Sequence, residues 1–88
     1  MNKEILNKVT EKLIKPKYPW IEEFEWVAWD DMNSMVNYRL EIKAPSIWKK
    51  GIRKKIRYKT EVEEDMRSLF KMLGPEPNEV FRTVSIES

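Results

Sequence analysis

A small α+β domain is the fold this sequence predicts: an antiparallel or mixed sheet of three to four strands packed with two helices in the order α-β-β-(β)-α-β. Three observations carry that prediction. Residues 23–43 alternate apolar and charged side chains around a turn, two other segments repeat apolar residues at helical spacing, and 88 residues make one domain. Hydrophobic residues at 41% and four tryptophans supply a core, so the chain is expected to fold and not to remain disordered.

The elements follow in order. Ile5, Leu6, Val9 and Leu13 fall along one helical face, Asn2 stands where an N-cap belongs, and Pro16 closes the segment. Pro16-Lys17-Tyr18-Pro19-Trp20 cannot continue a helix, because each proline lacks a donor and pushes its predecessor toward extended geometry. From Ile21 to Trp29 the period becomes two, with Phe24, Trp26 and Ala28 on one side and Glu23 and Glu25 on the other. Asp30 to Ser34 provide turn chemistry, and Val36, Tyr38, Leu40 and Ile42 alternate with polar neighbours to complete an antiparallel hairpin. Glu23 and Glu25 are expected to pair with Arg39 and Lys43 across it.

Residues 44–59 fit both periods. A strand over about 52–58 is favoured, because Arg53, Lys55, Arg57 and Lys59 then form one row and Gly51 would cost a helix about 1 kcal/mol. Thr60 and Glu63 have the spacing of a capping box, followed by Val62, Met66, Leu69, Phe70 and Leu73 up to Gly74 and Pro75. The acidic run Glu61, Glu63, Glu64 and Asp65 is then the first turn of the second helix. A closing strand places Val80, Val84 and Ile86 on one side and Phe81, Thr83 and Ser85 on the other.

Composition bounds the chemistry. With no cysteine and no histidine there is no thiolate, no imidazole base and no zinc set, and two glycines leave no phosphate loop, so no cofactor or metal is expected. Neither a secretion signal nor a spanning segment is legible, which points to an intracellular protein or one held within an assembled particle. The net charge of +2 is small, but the charges come in blocks: seven basic residues lie between Lys49 and Lys59.

Three functional readings arise. The first is a non-enzymatic interaction module that docks into a larger protein assembly, in the style of a viral or phage accessory protein. Tyr18, Trp20, Val27, Trp29, Met32 and Met35 are its interface candidates, being more large apolar surface than so small a domain needs for its core. The second is nucleic-acid binding, with Lys49, Lys50, Arg53, Lys55, Arg57 and Lys59 following a phosphate backbone and Trp48 and Tyr58 stacking on bases.

The third rests on Asp30 and Asp31 at the end of one strand and Glu41-Ile42-Lys43 at the end of its partner. This arrangement resembles the Asp and Glu-x-Lys signature of the PD-(D/E)xK nuclease superfamily, whose core runs helix, three strands, helix, strand. The resemblance implies magnesium-dependent phosphodiester cleavage, with Asp30 or Asp31 and Glu41 as metal ligands and Lys43 as the catalytic lysine. Without it, Glu41 and Lys43 are ordinary charges on the polar face of an amphipathic strand.

Overall fold

In a computed structural model that describes residues 1–87, the chain runs α-β-β-α-β. Helix α1 spans Lys3–Val9 and continues as a π-helical turn over Thr10–Ile14; strands β1 (Glu23–Asp30) and β2 (Val36–Lys43) form the hairpin. A short helix α2 (Pro45–Trp48) leads into the long α3 (Ile52–Met72), and β3 (Glu79–Glu87) closes the sheet. The sheet order is β1-β2-β3, antiparallel between β1 and β2 and parallel between β2 and β3, so the sheet is mixed. None of the described helices is long and apolar enough to cross a membrane.

Both long helices cover one face of the sheet. Trp26 of β1, Tyr38, Leu40 and Ile42 of β2, and Phe81, Val84 and Ile86 of β3 meet Leu6 and Ile14 from the first helix and Val62, Met66 and Phe70 from α3. The other face, with Glu23, Glu25, Val27 and Trp29 of β1 and Arg39 and Glu41 of β2, carries no helix.

Helix α1 starts as its sequence predicts, with the Asn2 side chain accepting from the Glu4 N–H at 2.7 Å. The buried face, however, is Leu6, Thr10 and Ile14, leaving Ile5 and Leu13 exposed. Four-residue spacing drifts around an α-helix by about 40° per step. The π-helical turn, closed by the Lys15 N–H donating to the Thr10 carbonyl at 2.9 Å, widens the helix and keeps that stripe on the sheet. Thr10 belongs there because its hydroxyl donates to the Leu6 carbonyl at 2.7 Å and accepts from Trp26 Nε1 at 3.0 Å, satisfying the indole inside the core.

The hairpin forms as predicted, with Glu23 opposite Lys43 and Asp30 opposite Val36. Its polar face pairs differently. Glu25 stands opposite Glu41, and Arg39, opposite Val27, donates to Glu41 of its own strand at 3.1 Å.

The largest correction concerns residues 52–58, which are helical and not a strand. Gly51 lies outside the helix as its N-cap, at φ 96°, so the cost of an interior glycine never arises. Lysine, arginine and glutamate are good helix formers, and Arg57 bonds Glu61 one turn on at 3.2 Å, joining the basic and acidic runs into one helix. Thr60 is therefore no cap: it lies mid-helix and its hydroxyl donates to the Ile56 carbonyl. Nor is the acidic run a first turn. Glu63 reaches the outer edge of β3, accepting from the Val84 N–H at 2.9 Å and the Thr83 hydroxyl at 2.5 Å, while Asp65 accepts from Tyr18 and Lys17.

In β3 a register shift between Tyr38 and Arg39 leaves Arg82 as the extra residue, since Phe81 pairs with Tyr38 and Thr83 with Arg39. Phe81 thereby joins Val84 and Ile86 in the core, and not the polar side that strict alternation assigns to it.

Two predictions follow from these contacts. Thr10→Val keeps the volume but leaves the Trp26 indole unpaired, and is expected to cost about 1–3 kcal/mol by urea unfolding, with Thr10→Ser recovering most of it. The second concerns pH. Burial raises the carboxyl pKa values of Glu63, Asp65 and Glu79, but hydrogen bonds from Thr83 and Val84, from Lys17 and Tyr18, and from the Met1 ammonium outweigh it and hold all three below the ordinary carboxylate range. The Asn37 amide does the same for Asp31. Groups with depressed folded-state values stabilise the fold above the ordinary carboxylate pKa and cease to do so as pH falls through the depressed values. The melting temperature is thus expected to be flat from neutrality to about pH 5.5 and to drop below about pH 4.5, read by circular dichroism.

Candidate functional site

The feature that stands out is the first half of α3. Residues 52–61 contain no buried side chain, and the first buried residue of the 21-residue helix is Val62. Half-buried Tyr58 packs against the core, so about 9 Å of helix, residues 52–57, extends beyond it as an arm. It presents Ile52 and Ile56, 72% and 58% exposed and one turn apart, while Trp48, 45% exposed, ends α2 on the other side of Gly51.

Cations surround this apolar strip. At 100° per residue Arg53 and Arg57 share one side and Lys55 and Lys59 another, with Lys54 on a third, so the basic residues wrap the arm and do not form one row. Among the described residues only Arg57 of this group has a carboxylate partner. Lys55 Nζ rests 3.0 Å from the centroid of the Trp48 ring and Lys50 Nζ lies 6.0 Å from that of Tyr58. The helix has neither an acid in its first turn nor a side-chain cap, so its positive end is crowded by like charge.

The aromatic candidates divide. Tyr18 is buried and donates to Asp65 at 2.5 Å; its phenol is pushed up by burial and then by that carboxylate. Trp20 is half-buried, with its ring centroid 5.7 Å from Tyr18 and 5.3 Å from Tyr58, which ties the connector to the base of the arm. Both rings thus act in packing. Val27 and Met35 are half-buried. Trp29, 39% exposed, lies on the open sheet face under the Arg39 guanidinium, and Met32 at the tip of the hairpin turn is fully exposed.

The acidic candidates are not brought together. Asp30 sits opposite Val36 while Glu41 sits opposite Glu25, five residues down the ladder, which is about 17 Å. Asp31 is occupied in holding the turn, accepting from the Asn33 and Met35 N–H groups at 2.8 and 3.0 Å and from the Asn37 amide at 3.1 Å. Glu41 and Lys43 line an open depression of about 330 Å3 with Glu23, Glu25 and Glu87. Among the described residues no cluster of acids has the geometry to hold a metal ion. With two strands and not three between α1 and the long helix, the element order also departs from the nuclease core that the Asp and Glu-x-Lys spacing resembles.

Charge and spacing made the basic run visible in the sequence, but its projection is a tertiary property. The sign available was Ile52 and Ile56 standing four apart among cations. Because Ile52 and Ile56 are mostly exposed, the double substitution Ile52→Gln with Ile56→Gln is expected to change unfolding free energy by no more than about 0.5 kcal/mol. Compared with models of known protein families, with curated proteins and with solved structures, the chain matches none of them.

Proposed function

We propose that this protein is a non-enzymatic docking module of a larger protein assembly, and that the arm at Trp48 to Lys59 is what it docks with. One observation carries the reading: the first turns of α3, before Tyr58 packs against the core, display two isoleucines to water, one turn apart. An amphipathic helix anchored by residues at i, i+4 suits an apolar groove, and the surrounding cations suit a groove with an acidic rim. An acidic partner would also relieve the crowding of positive charge at the start of α3. The isoleucines favour a protein over a phosphate backbone, which has no use for them.

Nucleic-acid binding is the second reading, favoured by the unpaired cations and by two rings beside them. One experiment separates the two. The full chain and its Ile52→Gln/Ile56→Gln variant are purified from the native source and sized by light scattering, with absorbance at 260 and 280 nm read across each peak. The expected result is a protein-only complex larger than a dimer of the 10.7 kDa chain, absent for the variant. A variant that retains the whole complex would overturn the reading. A peak rich in nucleic acid that dissociates in high salt, whichever chain is used, would replace it with the second.

A further inference from the structure

The sheet has two outer edges, and the chain treats them differently. Along β3, Glu63 accepts from the Val84 N–H, and Arg67 donates to the Phe81 and Arg82 carbonyls at 3.2 and 3.4 Å, so α3 satisfies the edge groups with its own side chains. Along β1 the described residues provide no such cover. The Asp31 N–H donates to the Met35 carbonyl, which sets the alternation of the antiparallel ladder: odd-numbered residues of β1 bond β2, and even-numbered ones turn their N–H and C=O groups outward. Among the described residues the N–H and C=O groups of Trp26, Ala28 and Asp30 have no partner in the chain. From Trp26 to Trp29 this edge has none of the devices that blunt edges, neither lysine nor proline nor any charge, and Ala28 and Trp29 are exposed.

We propose that β1 pairs with β1 of a second copy of this chain, antiparallel about a two-fold axis through Ala28, to make one continuous six-stranded sheet. The occupant is argued from the pattern itself. With Ala28 on the axis, Trp26 meets Asp30 and Val27 meets Trp29, each twice, giving about six backbone hydrogen bonds from groups that are otherwise unpaired. On the open face Val27 of each copy then lies against the exposed ring of the other's Trp29, a β-branched and aromatic cross-strand pair. The one acid pair in this register, Glu25 with Asp31, is tempered because Asp31 is already bonded to Asn37 and lies 3.7 Å from Arg82. Moving the axis to Trp26 would set Glu25 against Val27 and Glu23 against Trp29, so the apolar pairing selects Ala28. The surface is remote in sequence from the arm and does not depend on the docking reading above.

Sedimentation equilibrium of the full chain over a concentration series, with amide hydrogen exchange on the same samples, tests the pairing. A concentration-dependent mass of twice 10.7 kDa is expected, together with protection of the Trp26, Ala28 and Asp30 amides that rises with dimer fraction. Ala28→Pro removes an N–H that bonds nothing within the chain, and is expected to weaken association at least about tenfold. Val27→Lys, which brings a cation to each side of the axis, gives the same reading should the proline variant misfold. Ile52→Gln/Ile56→Gln is expected to leave the dimer intact. A chain that stays monomeric at millimolar concentration, a dimer in which those three amides remain unprotected, or undiminished association in the folded edge variants would each overturn the proposal.

Discussion

The parallel pairing of β3 with β2 is the constraint from which the rest of the architecture follows. Antiparallel strands can be joined by a tight turn, as β1 and β2 are, but a parallel neighbour must be reached by carrying the chain back along the whole strand. Residues 44–78 make that return, and most of it is α3. The helix must lie on the sheet for its second half, where Val62, Met66 and Phe70 enter the core. The crossover therefore accounts for the direction of α3 and for where it ends at Gly74. It does not account for the isoleucines of the first half, which the described residues leave mostly exposed.

The same crossover decides how the two sheet edges fare. Because α3 returns beside β3, Glu63 and Arg67 are within reach of that strand's outer N–H and C=O groups and protect them. The helix α1 lies over the buried face of the sheet and meets β1 through Thr10 and Trp26, leaving the outer edge bare. Protection of one edge and exposure of the other thus have a common cause in topology. Should β1 pair with its copy, the two α3 helices would stand at opposite ends of a six-stranded sheet and present two arms, which raises effective affinity for a repetitive partner.

How much of this was legible in the sequence depended on whether a residue's role was local. The hairpin was readable because period two persists through Phe24, Trp26 and Ala28 and again from Val36 to Ile42, and a one-residue slip would expose the core set. Asn2 and Gly74 were readable because caps are local chemistry, with Gly74 at φ 70° past the end of α3. Residues 52–58 were not, since Ile52 and Ile56 fit both periods and the deciding fact, that Gly51 lies before the helix and not within it, appears only once the crossover is formed. Thr60 and Glu63 imitate a capping box because one i, i+3 spacing occurs at a cap and inside any helix. Phe81 entered the core through a bulge at Arg82 that no alternation rule anticipates. The same limit applied to the candidate sites: the run of cations was plain, but Tyr18 and Trp20 were claimed by packing, and Asp31 by its own turn.

Blocks of opposite charge in one chain suggest mutual neutralisation, and here the geometry argues otherwise. Three acids of α3 have partners: Glu63 sits on the β3 edge and also feels Lys59, Asp65 accepts from Tyr18 and Lys17, and Glu61 pairs with Arg57 of the arm. Among the described residues the other cations of the arm form no ion pair, and those of its first turns sit at the end of a helix whose dipole already repels them. An isolated amphipathic segment of ten residues would barely hold a helix in water, so this one persists because α3 is nucleated in the core and propagates outward. A helix extended by the fold, with only Tyr58 of the arm packed against the core, loses little conformational entropy on meeting a partner. That preorganisation, more than the charge itself, is the physical basis of the docking proposed for Trp48 to Lys59.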